Sequence, residues 1–367
     1  MKVLQVLPAL NSGGVERGTL DLARGLVARG HQSLVLSSGG RLVAQLEQEG
    51  SQHLTMAVQR KSLSAFARVR PLRQLLQTLQ PDIVHVRSRL PAWILWLAWR
   101  TMNPTTRPRL VSTFHGLYSI NRYSAIMARG ERLIAISDTV QRYILDNYPV
   151  SPEKVHLIER GVDTQAFFPA PPDPRWQAQL FQQYPQLAGK KLLLMPGRLS
   201  RWKGQMEFLA LMAQLVQNHP DYHGLIVGDA EPKKRHYQQQ LEQRAAELGL
   251  TPWVTFAGHR SDMPDLYRQA DLVCHLSGKP EPFGRTLTEA LACGTPVLGY
   301  DRGGAGESLA ACFPAGLVAP EDLSGFARKV PELLAQAPVI TLPTRLTLEH
   351  QINATLAVYQ ELLETRP

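Results

Sequence analysis

The sequence predicts an α/β protein made of two doubly wound, parallel-sheet domains in tandem. Three observations predict it. Short β-branched and Leu-rich runs alternate with amphipathic runs over nearly the whole chain, as in parallel sheets covered by helices. A proline cluster, Phe167-Phe168-Pro169-Ala170-Pro171-Pro172-Asp173-Pro174, interrupts the alternation and can be neither helix interior nor central strand. Beyond it the alternation restarts. At 367 residues the chain has room for two such domains with full cores.

In order, the first half reads as strands at 2–7, 33–37, 53–57, 82–86, 110–114, 132–136 and 155–158, with helices such as 15–29 and 62–79 between them. The proline cluster reads as a linker, giving a first domain over 1–168 and a second over 169–344. The second carries strands at 191–196, 223–228, 253–256, 271–276, 295–299 and 316–318. Its helices are expected at 204–217, 233–248, 262–269, 285–293 and 321–335. The tail over 345–364 is helical, and 345–367 is expected to pack back onto the first domain. Ligands of such sheets bind beyond the C-terminal strand ends.

Composition narrows the function classes. Hydrophobic content of 44% and charge of 19% fit a soluble globular protein, and no uninterrupted run of 18 apolar residues indicates a membrane span. The opening MKVLQVLPAL reads as a buried strand and a poor signal peptide. Cys274, Cys293 and Cys312 lack CxxC spacing and are expected to be reduced core thiols of a cytoplasmic protein. Net charge is +9, with 21 Lys+Arg against 11 Asp+Glu in residues 1–168. That excess favours anionic partners. The Arg residues are not interleaved with aromatics as a nucleic-acid groove requires, so no nucleic-acid partner is expected.

Five segments carry candidate chemistry. Asn11-Ser12-Gly13-Gly14 follows the first strand and precedes a helix; paired glycines allow close backbone approach to a ligand, or form a plain tight turn. It is neither GxGxxG nor a phosphate-binding Walker loop, which argues against a nicotinamide-dependent oxidoreductase. Glu16 opens that helix, where it touches an acceptor or favours the positive helix end. His115-Gly116 ends a strand and is placed to bond a sugar hydroxyl or steer a proton. Gly197-Arg198 through Lys203-Gly204 follows the first strand of the second domain; a guanidinium fork and an ammonium there suit a diphosphate. Gly228 and Gly258-His259 end neighbouring strands and are placed to edge a nucleobase.

The last segment is Glu281-Pro-Phe283-Gly284-Arg285-Thr286-Leu-Thr-Glu289. Two carboxylates flank a glycine at the mouth of a helix, whose leading N–H groups receive phosphate or sugar oxygens. The other reading is a Pro–Gly loop with two solvated glutamates. No Asp-x-Asp and no metal-spaced His/Cys/Asp cluster occurs, so neither a metal nor another cofactor is expected. If a diphosphate leaves during the reaction, its charge must be met by Arg198, Lys203 and helix N-termini.

SGGVER, FHG at 114–116, ERGVD at 159–163, GRLSRWKG at 197–204 and the E-x7-E of 281–289 occur in this order. Together the chain resembles a retaining glycosyltransferase of family 4. The resemblance spans nearly the whole chain and implies the GT-B fold: two facing Rossmann-like domains with a cleft between them. It implies a nucleotide-diphosphate-sugar donor held by the C-terminal domain and an acceptor held by the N-terminal one. Arg198 and Lys203 would bind the diphosphate, Glu281 the sugar hydroxyls and Glu289 the ribose. Backbone of Phe283, Gly284, Arg285 and Thr286 would cap sugar and phosphate. Gly13 would join the donor-binding residues, Gly14 would close over the diphosphate, and His115 would lie near the reacting sugar. Arg160 stands where the family carries Asn before Gly-Val-Asp, and Arg285 where many members have a small or aliphatic residue.

The acceptor side is expected to involve Glu16, Arg60 and Lys61. Arg60, Lys61, Arg68, Arg70 and Arg73 accompany an apolar stripe from Leu63 to Leu76, the pattern of a helix on an anionic membrane or of one packed on its own core. Trp93, Trp96 and Trp99 are expected to pack in the core or its rim. The overall look resembles bacterial enzymes of lipopolysaccharide or surface-polysaccharide assembly. A lipid-linked or glycan acceptor at the inner face of the inner membrane is therefore expected. Rival readings are a sugar-nucleotide epimerase of the same fold and a sugar-nucleotide-binding protein without turnover.

Overall fold

The structure, a computed structural model, describes residues 1–11, 13–59, 63–230, 235–336 and 338–365. The chain divides into two compact units, Met1–Gly161 with Leu348–Pro367, and Val162–Thr347. The first contains strands β1 (Lys2–Val6), β2 (Gln32–Ser37), β3 (Gln52–Thr55), β4 (Ile83–Val86), β5 (Arg109–Phe114), β6 (Arg132–Ala135) and β7 (Val155–Leu157). Its helices are α1 (Gly14–Ala28), α2 (Val43–Gln48), α3 (Val69–Leu79), α4 (Arg89–Trp99) and α5 (Asp138–Asn147). The second contains β8 (Lys191–Pro196), β9 (Tyr222–Val227), β10 (Val254–Phe256), β11 (Leu272–His275), β12 (Val297–Tyr300) and β13 (Leu317–Val318). Helices α6 (Pro174–Gln183), α7 (Gln205–Leu215), α8 (Arg235–Glu247), α9 (Met263–Gln269), α10 (Arg285–Ala292), α11 (Gly303–Cys312) and α12 (Leu323–Leu334) accompany them. Helix α13 (Leu348–Glu364) returns to the first unit.

Among the described residues the first sheet runs β3-β2-β1-β4-β5-β6-β7 and the second β10-β9-β8-β11-β12-β13. All pairings are parallel. Both orders reverse once, between β1 and β4 and between β8 and β11. In doubly wound sheets that reversal opens a crevice at the C-terminal strand ends. Strands buried on both faces need unbroken apolar runs, and Leu192, Leu193, Leu194 and Met195 of β8 supply one.

The domain boundary differs from the sequence reading. Residues 162–168, expected in the first domain, belong to the second unit. Val162 donates to the Leu346 carbonyl at 2.9 Å, and the Phe167 ring packs on Tyr267, 6.1 Å between centroids. The proline cluster therefore follows the crossing and does not form it. α13 packs Ile352, Leu356 and Tyr359 against Val3, Leu22, Leu26 and Ile83 of the first unit. Tyr359 hydroxyl lies 2.5 Å from His85 Nδ1, and His85 Nε2 lies 2.6 Å from Thr113 Oγ1.

The expected helix 62–79 is a 3₁₀ turn, Leu63–Arg68, followed by α3. Pro71 explains the division: it has no N–H for a carbonyl one turn back, and so belongs in the first turn of a helix. Arg60 and Lys61 lie outside the described residues. Trp99 is buried, its indole N–H donating to the Pro108 carbonyl at 2.6 Å, and the half-buried Trp93 donates to Tyr123. The three cysteines are buried and unbridged. No helix among the described residues is long and apolar enough to cross a membrane.

Candidate functional site

In the second unit the site is built at the sheet reversal. Past β8, β9 and β10 stand Gly197, Gly228 and Gly258. Gly197 N–H donates to the Val227 carbonyl and Gly228 N–H to the Gly258 carbonyl, each at 2.8 Å. Gly228 has φ +145°, and a Cβ there would lie 2.0 Å from the Gly197 oxygen. Only glycine lets the three strand ends meet this closely. Arg198 and His259 are exposed at this rim.

The chain beyond Arg198 forms a 3₁₀ turn, Arg201–Lys203, and enters α7 through Gly204. Gly204 has φ +88°, and a Cβ would lie 2.0 Å from the Leu276 carbonyl oxygen. Gly278 N–H also donates to the Trp202 carbonyl at 2.9 Å. The β8 loop is thus drawn against the loop after β11.

That contact brings Lys203 to Glu281, with Nζ 2.7 Å from Oε1. The Ser277 hydroxyl donates to the same oxygen. His275 Nε2 stands 3.0 Å from it, close enough for a charge contact, without the alignment of a hydrogen bond. Glu281 is 8% exposed. Burial alone raises its pKa, but His275 and Lys203 outweigh it and hold the carboxyl well below the usual range. An ionised carboxylate only accepts hydrogen bonds, so this group suits ligand hydroxyls. Its backbone is fixed too: the Glu281 carbonyl accepts from Gly304 N–H at 2.8 Å.

Helix α10 begins four residues later, capped by Gly284, whose carbonyl accepts from Leu287 and Thr288. Phe283 is buried beneath this entry. The leading N–H groups of a helix have no acceptor inside it, which is the case for Arg285 and Thr286. Glu289 Oε1 lies 3.1 Å from Arg285 Nη2, and Oε2 accepts from Tyr267 hydroxyl at 3.3 Å. Burial, then the Glu289 charge, pushes the Tyr267 phenol well up, so it stays a donor to this carboxylate.

The remaining expected residues lie in the first unit, past β1 and β5. Gly13 caps α1, and the Glu16 carboxylate folds back so closely that a Cβ on Gly13 would meet it at 2.7 Å. Burial raises the Glu16 pKa, while its own N–H and Arg160 act against that. Arg160 Nη1 donates to the Gly14 carbonyl at 2.8 Å, and Nη2 lies 2.9 Å from His115 Nδ1. Burial, Arg160, Arg87 and His85 together hold His115 well below its ordinary pKa.

Sequence reasoning therefore missed His275, Ser277 and Tyr267, and noted Arg160 only as a departure. His275 and Ser277 had a readable signal, since His275 ends β11 and Ser277 lies two residues beyond it, at the sheet reversal. Tyr267 had none, because α9 meets α10 only in the fold.

Two family models match in tandem: "Glycosyltransferase Family 4" over residues 12–166 and "Glycosyl transferases group 1" over 177–347. A glycosyltransferase from Rickettsia africae superposes with a TM-score of 0.87 at 30% identity, over 99% of both chains. The chain belongs to the family 4 glycosyltransferases. Its two Rossmann-like units are those of the GT-B fold. Anabaena Alr3699/HepE, solved in complex with UDP and glucose, superposes on this glycosyltransferase with a TM-score of 0.78 at 26% identity, over 100% of both chains. The lipopolysaccharide core biosynthesis mannosyltransferase LpsB of Rhizobium meliloti is 26% identical over 257 residues, which cover 67% of this chain and 68% of LpsB. Mannosylfructose-phosphate synthase of Agrobacterium fabrum is 31% identical over 209 residues, 54% of this chain, and the chain spans only 45% of that relative's length.

Proposed function

We propose that this glycosyltransferase moves a hexose from a nucleotide-diphosphate sugar to a lipid-linked or polysaccharide acceptor. The transfer retains anomeric configuration, needs no metal, and serves lipopolysaccharide or surface-polysaccharide assembly. The observation that carries the donor half is the Lys203–Glu281 pair, 2.7 Å apart at the sheet reversal beside the start of α10. A cation and an obligate acceptor side by side match a ligand whose phosphate adjoins a polyhydroxylated ring. The UDP and glucose bound by HepE and the role named for LpsB favour the same class of donor and pathway.

In this reading Glu281 accepts from sugar hydroxyls, Arg198 and Lys203 meet the diphosphate, and Glu289 takes ribose hydroxyls. The acceptor oxygen bonds to the anomeric carbon on the face from which the diphosphate leaves. The C–O bond to the diphosphate breaks, and the acceptor's hydroxyl proton passes to the departing phosphate oxygen. The work of the protein is to stabilise the charge that develops on that phosphate. The positive excess of residues 1–168 supports an anionic acceptor and a place at the inner face of the inner membrane, on the cytoplasmic side.

A panel of UDP-, GDP- and ADP-hexoses tests the reading. The true donor raises the melting temperature by mass action and, with acceptor and EDTA present, gives a product whose anomeric configuration matches the donor's by NMR. No thermal shift with any of them, or an inverted product, overturns it.

A further inference from the structure

Arg160 occupies an unusual position. It is 8% exposed and its two terminal nitrogens are divided between two parts of one strand-end surface. One bonds the Gly14 carbonyl and the other His115 Nδ1. It packs beside α1 at Gly18, where a Cβ would be in ordinary contact, 3.6 Å from Arg160 Nη2 and 3.9 Å from Arg87 Nη1.

A guanidinium can only donate. His115 Nδ1 must therefore accept, and a neutral imidazole with a bare Nδ1 carries its proton on Nε2. That Nε2 is buried and has no hydrogen-bond partner among the described residues. A buried donor left unmet is costly, so the position calls for an acceptor oxygen. The groups around the residue are Arg160, Arg87, His85 and Tyr118, whose hydroxyl accepts from the His115 backbone N–H at 3.2 Å, with Glu16 beyond Arg160.

The geometry points to Arg160 as a positioning residue that locks His115 as the neutral Nε2–H tautomer, so that it donates to a hydroxyl or phosphate oxygen of the bound substrate. The same side chain ties that donor to the Gly14 turn. This inference rests on the transferase reading for its substrate, but the tautomer itself does not.

Long-range ¹⁵N spectra of the histidine rings, with His115→Gln for assignment, test it. Wild type should show His115 protonated on Nε2 and titrating far below an ordinary histidine. Arg160→Met should lose the fixed tautomer, and its titration midpoint should rise by about one unit or more. The acid limb of kcat/KM should rise with it. Arg160→Gln keeps an amide donor without the charge; it should hold the tautomer while the midpoint rises, and it serves also if the Met variant does not fold. A purely structural Arg160 would change melting temperature and leave tautomer and midpoint as in wild type, which overturns the inference. A wild type that turns over no sugar nucleotide sinks the transferase reading instead, and the spectra still decide this one.

Discussion

Lys203 Nζ lies 2.7 Å from Glu281 Oε1, although 78 positions separate the two residues in the chain. The pair joins the loop after β8 to the loop after β11, across the point where the sheet order reverses. Lys203→Ala should lower turnover by about 10²–10³-fold, the range for losing one transition-state donor, while the protein stays folded by circular dichroism. Turnover near wild type would remove Lys203 from leaving-group stabilisation.

Glu281 also sets an acid limit on stability. Its folded pKa lies below the ordinary 4.5, so its contribution is complete above about 4.5 and is lost as pH falls toward the folded value. Urea unfolding of wild type and Glu281→Gln between pH 7 and 3 should show a difference that is constant at neutral pH and shrinks below 4.5. A pH-independent difference would contradict the ionised state.

His85 opens an earlier window. Burial and then Arg87 depress it far below the ordinary 6.5, so its contribution is complete above 6.5 and declines as pH falls below it. Tyr359→Phe removes the hydroxyl 2.5 Å from His85 Nδ1 and leaves that buried nitrogen unpartnered. It should cost about 1–3 kcal/mol, read by urea unfolding at pH 7.5.

Gly204→Ala should be costly in a way that Gly189→Ala is not. Both glycines have positive φ, +88° and +71°. A Cβ at 204 meets the Leu276 carbonyl at 2.0 Å, whereas at 189 it meets nothing within 4 Å. Gly189→Ala should cost only the left-handed penalty of about 1–2 kcal/mol. Gly204→Ala should cost more and, by pushing the Lys203 turn off β11, abolish the donor-induced rise in melting temperature. Equal melting temperatures for the two variants would count against the close approach.

The strands were legible because a doubly wound sheet writes them as apolar runs: β8 and β11 sit where the Leu and Val residues are. The positions of Glu281, Arg198 and Lys203 past strand ends were legible because such loops are marked by glycine and by polar residues. Arg160 was not, because its partners Gly14 and His115 come from two other strand ends and nothing local to ERGVD announces them. The unit boundary was misplaced for a related reason. Proline 169–174 has the composition of a linker, but side-chain packing on Tyr267 and Arg268 holds residues 166–168 to the second unit.

Val162 and Thr347 form a parallel bridge, and Val162 N–H bonds the Leu346 carbonyl. The second unit thus starts and finishes at neighbouring backbone positions, about 5 Å apart as in any strand pair. Topologically it is a closed insert in a host whose own chain resumes at Leu348. One seam, cut at 161/162 and 347/348, would exchange the entire second unit while the host keeps α13, the helix that completes its core.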